Sequence, residues 1–552
     1  MPDRARANAD RWRSDYDSAV SSAPRHNRSG MLLKPLYTPE DWDKGQYADK
    51  LGYPGQEPFT RGIYPAMYHG QGWSRRMLVG LGTPEDFNRR QKEMLASGTT
   101  AVNFIPCNSV FRGYDIDEVD PLLVGICGTA INTSEDMRIA MDGIDLARIS
   151  LGLNDPTPFT LLAFILLLAE ECGISWDILS GTSNQSDFIS HFVANHMFYR
   201  LSLEGSRRLL LDHIAFTTKH LPKWNPLSIV GQHMQQAGAT PAQALGFTLS
   251  SALYYVDECV KAGMVADDFV HRFTFFFDVS ISFFEEVAKF RAGRRLWARL
   301  LKERYGVRVP RSLRFKFHAQ TSGVDLTRQQ PLNNIARVAV QGLAAILGGM
   351  QSLHTDAYDE AFTTPSVEAA RVAIMTQNIL AEETGVTDVI DPLGGSYYVE
   401  ALTDEMEQKT LEIIQSIDAL GGMFEAVRLG YVQSEIGRSA LEFQQGVECG
   451  NRTVVGANKY RIPEEPVLRT PVERPDPAAI TAQYDRLRRY KLQRSQFAVS
   501  RALDQLAAAA DSKKSNVYAA VIDAIRAGAT HGETVGILRQ ELGFGQPLPM
   551  AG

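Results

Sequence analysis

The sequence predicts a (β/α)8 barrel, and three observations predict it. From about Tyr53 to about Val399, short apolar runs alternate with amphipathic helical stretches, the pattern of parallel strands joined by crossover helices. The alternation continues for roughly 350 residues, room enough for eight such units. Several of the apolar runs also end in polar side chains, and barrel active sites gather at the C-terminal ends of strands. A doubly wound α/β sheet is the alternative.

In chain order, residues 1–50 are polar and interrupted by Pro24, Pro35 and Pro39. They read as an extended arm with little core of its own, to be ordered on a partner surface. Residues 51–405 form the barrel. Its strand candidates are "TTAVNF", "ARISLGL", "LSIVG", "FTFFF", "RFKFH" and "QSLHT". Between them lie helices such as "SISFFEEVAKFRAGRRLWARLLKERYG", whose apolar residues recur at helical spacing and which Gly306 can end. Residues 406–552 read as a helical region, divided by a linker at 461–477 that carries five prolines.

Composition narrows the function. A net charge of −7 and a pI near 5.9 offer no basic field for nucleic acid or anionic lipid. Cys107, Cys127, Cys172, Cys259 and Cys449 are scattered with no CxxC pair, which fits a reducing compartment and argues against disulfides or a structural metal. The N-terminus mixes arginines with Asp3, Asp10, Asp15 and Asp17 around no apolar core, so a cytoplasmic protein is expected. The run "FTLLAFILLLA" from Phe159 is too short to span a bilayer.

The polar strand ends supply candidate chemistry: His233 in "GQHMQQAGAT", His318 and Gln320 in "RFKFHAQTSG", and Gln351 and His354 in "GGMQSLHTD". An imidazole among amides, with no nucleophilic serine or cysteine nearby, suits hydrogen bonding to a substrate better than covalent catalysis.

Nine segments then carry a resemblance: "YPAMY", "RGYD", "GQHMQQAGA", "AKFRAGRRLWARL", "HAQTSG", "NNIARVA", "GGMQSLHTDAYDEAF", "DVIDPLGGSYYVEALT" and "VVGANKY". In this order, over roughly residues 35 to 545, the chain resembles the catalytic subunit of adenosylcobalamin-dependent acyl-CoA mutases, the methylmalonyl-CoA and isobutyryl-CoA mutase family. The resemblance implies a barrel with the CoA chain threaded along its axis and a radical rearrangement of the acyl skeleton started by cobalt–carbon homolysis. It also implies a flavodoxin-like cobalamin domain whose DxHxxG motif is missing here, since His213 directly follows Asp212. A separate small cobalamin-binding subunit, in an α2β2 heterotetramer, is therefore expected.

By the same resemblance, His233 and Gln185 face the thioester as the catalytic pair. Tyr64, Arg272 and Thr274 contact the CoA chain, while Arg112, His318, Gln320, Gln351 and Glu360 line the corrin and adenosyl side. Glu360 would hold the ribose hydroxyls, because a carboxylate accepts from a diol. Gln71 stands where the family often has an arginine, leaving Arg75, Arg76 and Arg272 for the CoA phosphates.

The departures bear on substrate. Asn195 stands at the position of the arginine that pairs with a methylmalonyl carboxylate, and a buried carboxylate without that partner is costly. Leu78 replaces the family tyrosine, leaving room for an aliphatic branch. Ile105 stands where hydroxyacyl mutases have an aspartate, which leaves a substrate hydroxyl without an acceptor. Gln232 replaces a tyrosine, and "FIPCNSVFRGYD" brings Pro106, Cys107, Asn108 and Phe111 to the wall facing the corrin, with Cys107 expected to be packed. The expected substrate is an acyl-CoA without a free carboxylate, isobutyryl- or butyryl-like or less usual. A methylmalonyl-CoA mutase with an altered pocket and a catalytically silent acyl-CoA-binding subunit are the alternatives.

Overall fold

A computed structural model describes Ser14, Ser18 and residues 25–78, 80–194, 200–462 and 474–548. Eight parallel strands among them form the expected barrel. They are β1 (Ser74–Arg76), β2 (Ala101–Phe104), β3 (Ser150–Asn154), β4 (Ser180–Asn184), β5 (Trp224–Asn225, continued past Pro226 by Leu227–Val230), β6 (Phe273–Val279), β7 (Phe317–Thr321) and β8 (Ser352–His354). Ladders run β2-β3-β4-β5 and β5-β6-β7-β8-β1. The Thr100 N–H donates to the Arg75 carbonyl at 3.0 Å and joins β2 to β1, which closes the ring.

A helix follows every strand: α1 (Pro84–Ala96), α2 (Ser134–Ala140), α3 (Thr160–Glu171), α4 (Leu203–His220), α5 (Pro241–Lys261), α6 (Phe283–Tyr305), α7 (Asn333–Leu347) and α8 (Val367–Glu382). Threonine caps with reciprocal acidic or glutamine partners start α1, α2 and α5. Gly306, at φ +65°, ends α6 as the sequence suggests. The apolar run from Phe159 becomes α3, whose residues Thr160–Ala169 are all buried. No helix among the described residues is long and apolar enough to cross a membrane.

Six strands coincide with predicted runs, although β7 begins three residues later than "RFKFH" does. The two unpredicted strands, β1 ("SRR") and β4 ("SGTSN"), contain no apolar residue. Hydrophobic patterning cannot find a strand whose inward face is polar.

The motif "AKFRAGRRLWARL" lies in α6 and holds the frame together. Arg291 pairs with Asp391 and Glu400, and Arg295 with Glu400 and Asp404. Arg294 donates to the carbonyls of Phe59, Thr60 and Gly348. These carboxylates anchor α9 (Tyr397–Ala419), which runs through residue 405 and packs along α5 and α6. Four further helices, α10 (Pro477–Gln493), α11 (Gln496–Asp511), α12 (Val517–Arg526) and α13 (His531–Leu542), cover the α1–α4 side. Residues 463–473 of the proline-rich linker lie outside the described residues.

The described part of the N-terminal arm lies against its own chain. Backbone N–H groups of Arg28 and Ser29 donate to Glu285, the Arg28 guanidinium pairs with Asp325, and Lys409 donates to the Ser29 carbonyl. Met31 and Trp42 are buried. These two apolar anchors and the acidic acceptors on α6 give the polar arm the surface it needs.

Candidate active site

Register places Ser74 and Arg76 of β1, Asn103 of β2, Gly152 of β3, Thr182 and Asn184 of β4, Asn225 and Ser228 of β5, Thr274 of β6, His318 of β7 and Ser352 of β8 around one cavity of about 180 Å³. Barrels of this kind normally fill their axis with branched aliphatic side chains. Small polar residues leave this axis open. Gly152 is required here: a Cβ would lie 2.2 Å from Asn103 Oδ1 and 3.0 Å from Arg76 Nη1. Arg76 donates to Asn103 Oδ1 at 2.8 Å and Ser150 Oγ at 3.0 Å, and burial holds its guanidinium down to about 10.

The end of the cavity at the strand N-termini is cationic. Tyr64 lines it, with the Arg314 guanidinium 5.2 Å from the ring centroid. Lys316 also lines it, and burial, then Arg272 and Arg314, push its ammonium down to about 8. Neither Arg314 nor Lys316 has a carboxylate partner among the described residues. The alternating "RFKF" carries their signal, because the side chains of Arg314 and Lys316 share one parity.

At the strand C-termini, His354 fixes its own tautomer. Its Nδ1 accepts the Leu78 N–H at 3.2 Å, so its Nε2–H donates to Asp356 at 3.3 Å. Gln320 also donates to Asp356, at 3.3 Å, and Gln236 donates to Asp278 at 3.2 Å. A Cβ on Gly323 would touch Glu360, Asp356 and Gln236, which brings these groups around one point. Glu360 is solvent-exposed beside these groups. Desolvation, then Asp356 and Asp359, raise its carboxyl to about 8. Asp278 Oδ2 and Asp356 Oδ2 are buried without a hydrogen-bond partner among the described residues. Amide donors beside orphaned carboxylate oxygens suit a polyhydroxylated nucleoside such as the adenosyl group.

His233 lies in the short helix Gln232–Gln236 directly after β5, buried, with Nδ1 3.1 Å from Ser190 Oγ and the His191 ring edge-on at 5.1 Å. The glutamines beside it divide their work. Gln235 bridges the buried Glu286–Lys289 pair, Gln236 reaches Asp278, and Gln232 Oε1 is buried without a partner among the described residues.

Other expected residues are placed differently. Gln185 follows β4 at φ +54°, whereas Asn184, in parity with Thr182, lines the cavity. Gln351 precedes β8 and sits at its N-terminal end, where its amide bonds Phe317 N–H and the Gly349 carbonyl, at the opposite end of the strand from His354. His318 lines the middle of the cavity, with Nδ1 2.8 Å from Ser352 Oγ, and burial, Arg76 and His354 keep its ring well below the usual histidine range. Arg272 spends its guanidinium on the carbonyls of Thr217, Thr218 and Leu221. Arg75 faces outward to Asn378 and Glu382.

Thr274 and Leu78 both line the cavity. Ile105 packs beside Gly80. Arg112 is exposed beyond the C-terminal end of β2, and Cys107 is buried. Asn195 lies outside the described residues.

Comparison with known proteins agrees with this geometry. The family model described as methylmalonyl-CoA mutase matches residues 26–544. The chain belongs to the methylmalonyl-CoA mutase family. It is 40% identical over 527 residues to a 2-hydroxyisobutanoyl-CoA mutase large subunit from Aquincola tertiaricarbonis, covering 95% of this chain and 93% of that one. It is 41% identical over 529 residues to a methylmalonyl-CoA mutase from Rhizobium meliloti, covering 95% and 73%. The mitochondrial methylmalonyl-CoA mutase of Homo sapiens is 37% identical over 522 residues, covering 94% and 68%. Two family members with different printed substrates are thus about equally similar to this chain.

Proposed function

We propose that this mutase is the large subunit of an adenosylcobalamin-dependent enzyme that rearranges the skeleton of an acyl-CoA without a free carboxylate, isobutyryl- or butyryl-like. The observation that carries the reading is the polar axial cavity, lined by Arg76, Asn103, Asn184, Thr274 and His318 and cationic at the end where Lys316 sits. A pantetheine arm needs a narrow hydrophilic bore. The phosphates sit at the end held by Arg314 and Lys316, and the thioester sits at the strand C-termini.

There His233 and Asn184 hydrogen-bond the thioester oxygen, and the donor stabilises charge that grows on that oxygen as the acyl group migrates. Leu78 and Ile105 shape the apolar side of the pocket, and Asn195 leaves a substrate carboxylate without a cation. Glu360, Gln320 and Gln236 hold the adenosyl group, with Arg112 on the corrin side. Adenosylcobalamin, when bound, supplies the radical that starts the rearrangement. The cofactor comes on a small partner subunit in a cytoplasmic α2β2 assembly.

A second reading, a hydroxyl-bearing acyl group, is favoured by Gln232, whose orphaned Oε1 is an acceptor. The test is kcat/KM for isobutyryl, butyryl, 2-hydroxyisobutyryl and methylmalonyl esters after reconstitution with a small subunit and adenosylcobalamin. Preference for the first two supports the leading reading, and preference for the hydroxylated ester supports the second. Preference for the methylmalonyl ester overturns both.

A further inference from the structure

Ser190 Oγ stands within hydrogen-bond distance of two groups, the Asp187 carbonyl at 2.9 Å and His233 Nδ1 at 3.1 Å. A hydroxyl has one hydrogen to give, and a carbonyl oxygen can only accept. Both bonds form together only when the Ser190 hydrogen points to Asp187 and the hydroxyl oxygen accepts from Nδ1–H. The turn that carries Ser190 is held rigidly. Asp187 caps the helix Phe188–Val193 through the Ile189 N–H at 3.1 Å, accepts the Val230 N–H at 3.0 Å from the end of β5, and receives the Tyr255 hydroxyl from α5. The same carboxylate therefore ties the serine's turn to the strand that leads into His233.

We infer that Ser190 is a positioning residue that keeps the His233 proton on Nδ1, so that Nε2 carries a hydrogen to donate only when the ring is an imidazolium. The inference rests on the reading of His233 as the thioester's donor. It deepens that reading, because a cationic donor stabilises a developing oxyanion more strongly than a neutral one. The helix Gln232–Gln236 packs against the helix Phe188–Val193, β6 and α5. Among the described residues, the ionisable groups they present are His191 edge-on to the ring, Asp278 through Gln236, and Asp187 with Tyr255 behind the serine. The donor form is present at low pH and is lost as pH rises through the His233 transition.

The test is ring 15N NMR of the purified chain labelled at histidine, with His233 assigned by difference against His233→Ala. Between about pH 6 and about pH 9, bracketing the ordinary histidine range, wild-type Nδ1 stays protonated while Nε2 loses its hydrogen. In Ser190→Ala the neutral ring moves its proton to Nε2, and Ser190→Thr restores the wild-type pattern. A neutral wild-type ring protonated on Nε2 overturns the inference, whether or not Ser190→Ala folds. In the reconstituted enzyme, isobutyryl-CoA turnover falls with rising pH in wild type and flattens in Ser190→Ala. Equal losses at every pH in that variant overturn the inference. Unchanged turnover in His233→Ala instead sinks the reading of His233 and leaves the NMR result to stand by itself.

Discussion

His233 is buried in a short helix, and its ring lies within hydrogen-bond distance of Ser190. Replacement by alanine should leave the barrel folded and cut turnover by about 10²-fold, the loss expected when one oxyanion donor is removed. Circular dichroism and steady-state kinetics check the two halves, and an unfolded His233→Ala would assign the ring to structure. His233 was legible because a lone imidazole at a strand end is conspicuous. Asn184 was not, because the choice between it and Gln185 depends on one residue of register at the end of β4. Gln351 was misplaced for a related reason: β8 starts after it, so a residue that reads as a strand end is a strand beginning.

At the scale of elements, the strands do the selecting. Gly152→Val should block the bore, since even a Cβ there collides with Asn103 and crowds Arg76. Isobutyryl-CoA binding by calorimetry should weaken at least about tenfold, a loss that follows from filling the site and not from unfolding. Lys316, held down to about 8 by burial, is a cation below that pH and neutral above it. CoA affinity should therefore fall as pH rises from 7 to 9, by about three- to tenfold, and Lys316→Met should remove this dependence. Binding isotherms at several pH values decide it. An unaltered slope in Lys316→Met would move the phosphates elsewhere.

For the whole molecule, the C-terminal helices are locked to the barrel by charge as well as by packing. Arg486 of α10 pairs with Glu85 at 2.7 Å and with the buried Asp136 at 3.1 Å. Arg486→Ala leaves the buried Asp136 carboxylate with its capping hydrogen bonds but without its cation and should cost about 3 kcal/mol, read as a lower denaturation midpoint with the m-value unchanged. The small subunit has its own test at this scale. The isolated chain lacks a DxHxxG motif and should not retain adenosylcobalamin through gel filtration, while a cognate small subunit should restore retention. Tight binding by the chain alone would remove the need for that partner.

The sequence by itself determined the barrel, the helix α6 and the family, because hydrophobic periodicity and nine ordered motifs are local and survive without coordinates. It also read His233, Gln320 and His354 as lying at strand ends. Only the tertiary structure decided what the polar residues do. β1 and β4 are strands because their neighbours supply the ladders, not because their own sequences are apolar. Arg272 was expected on the substrate and is spent on helix carbonyls, while Lys316 lines the cavity and Arg314 stacks on Tyr64 at its end, neither with a carboxylate partner among the described residues. A polar side chain's role is set by which partners come within about 3 Å, and closing the ring is what brings them there.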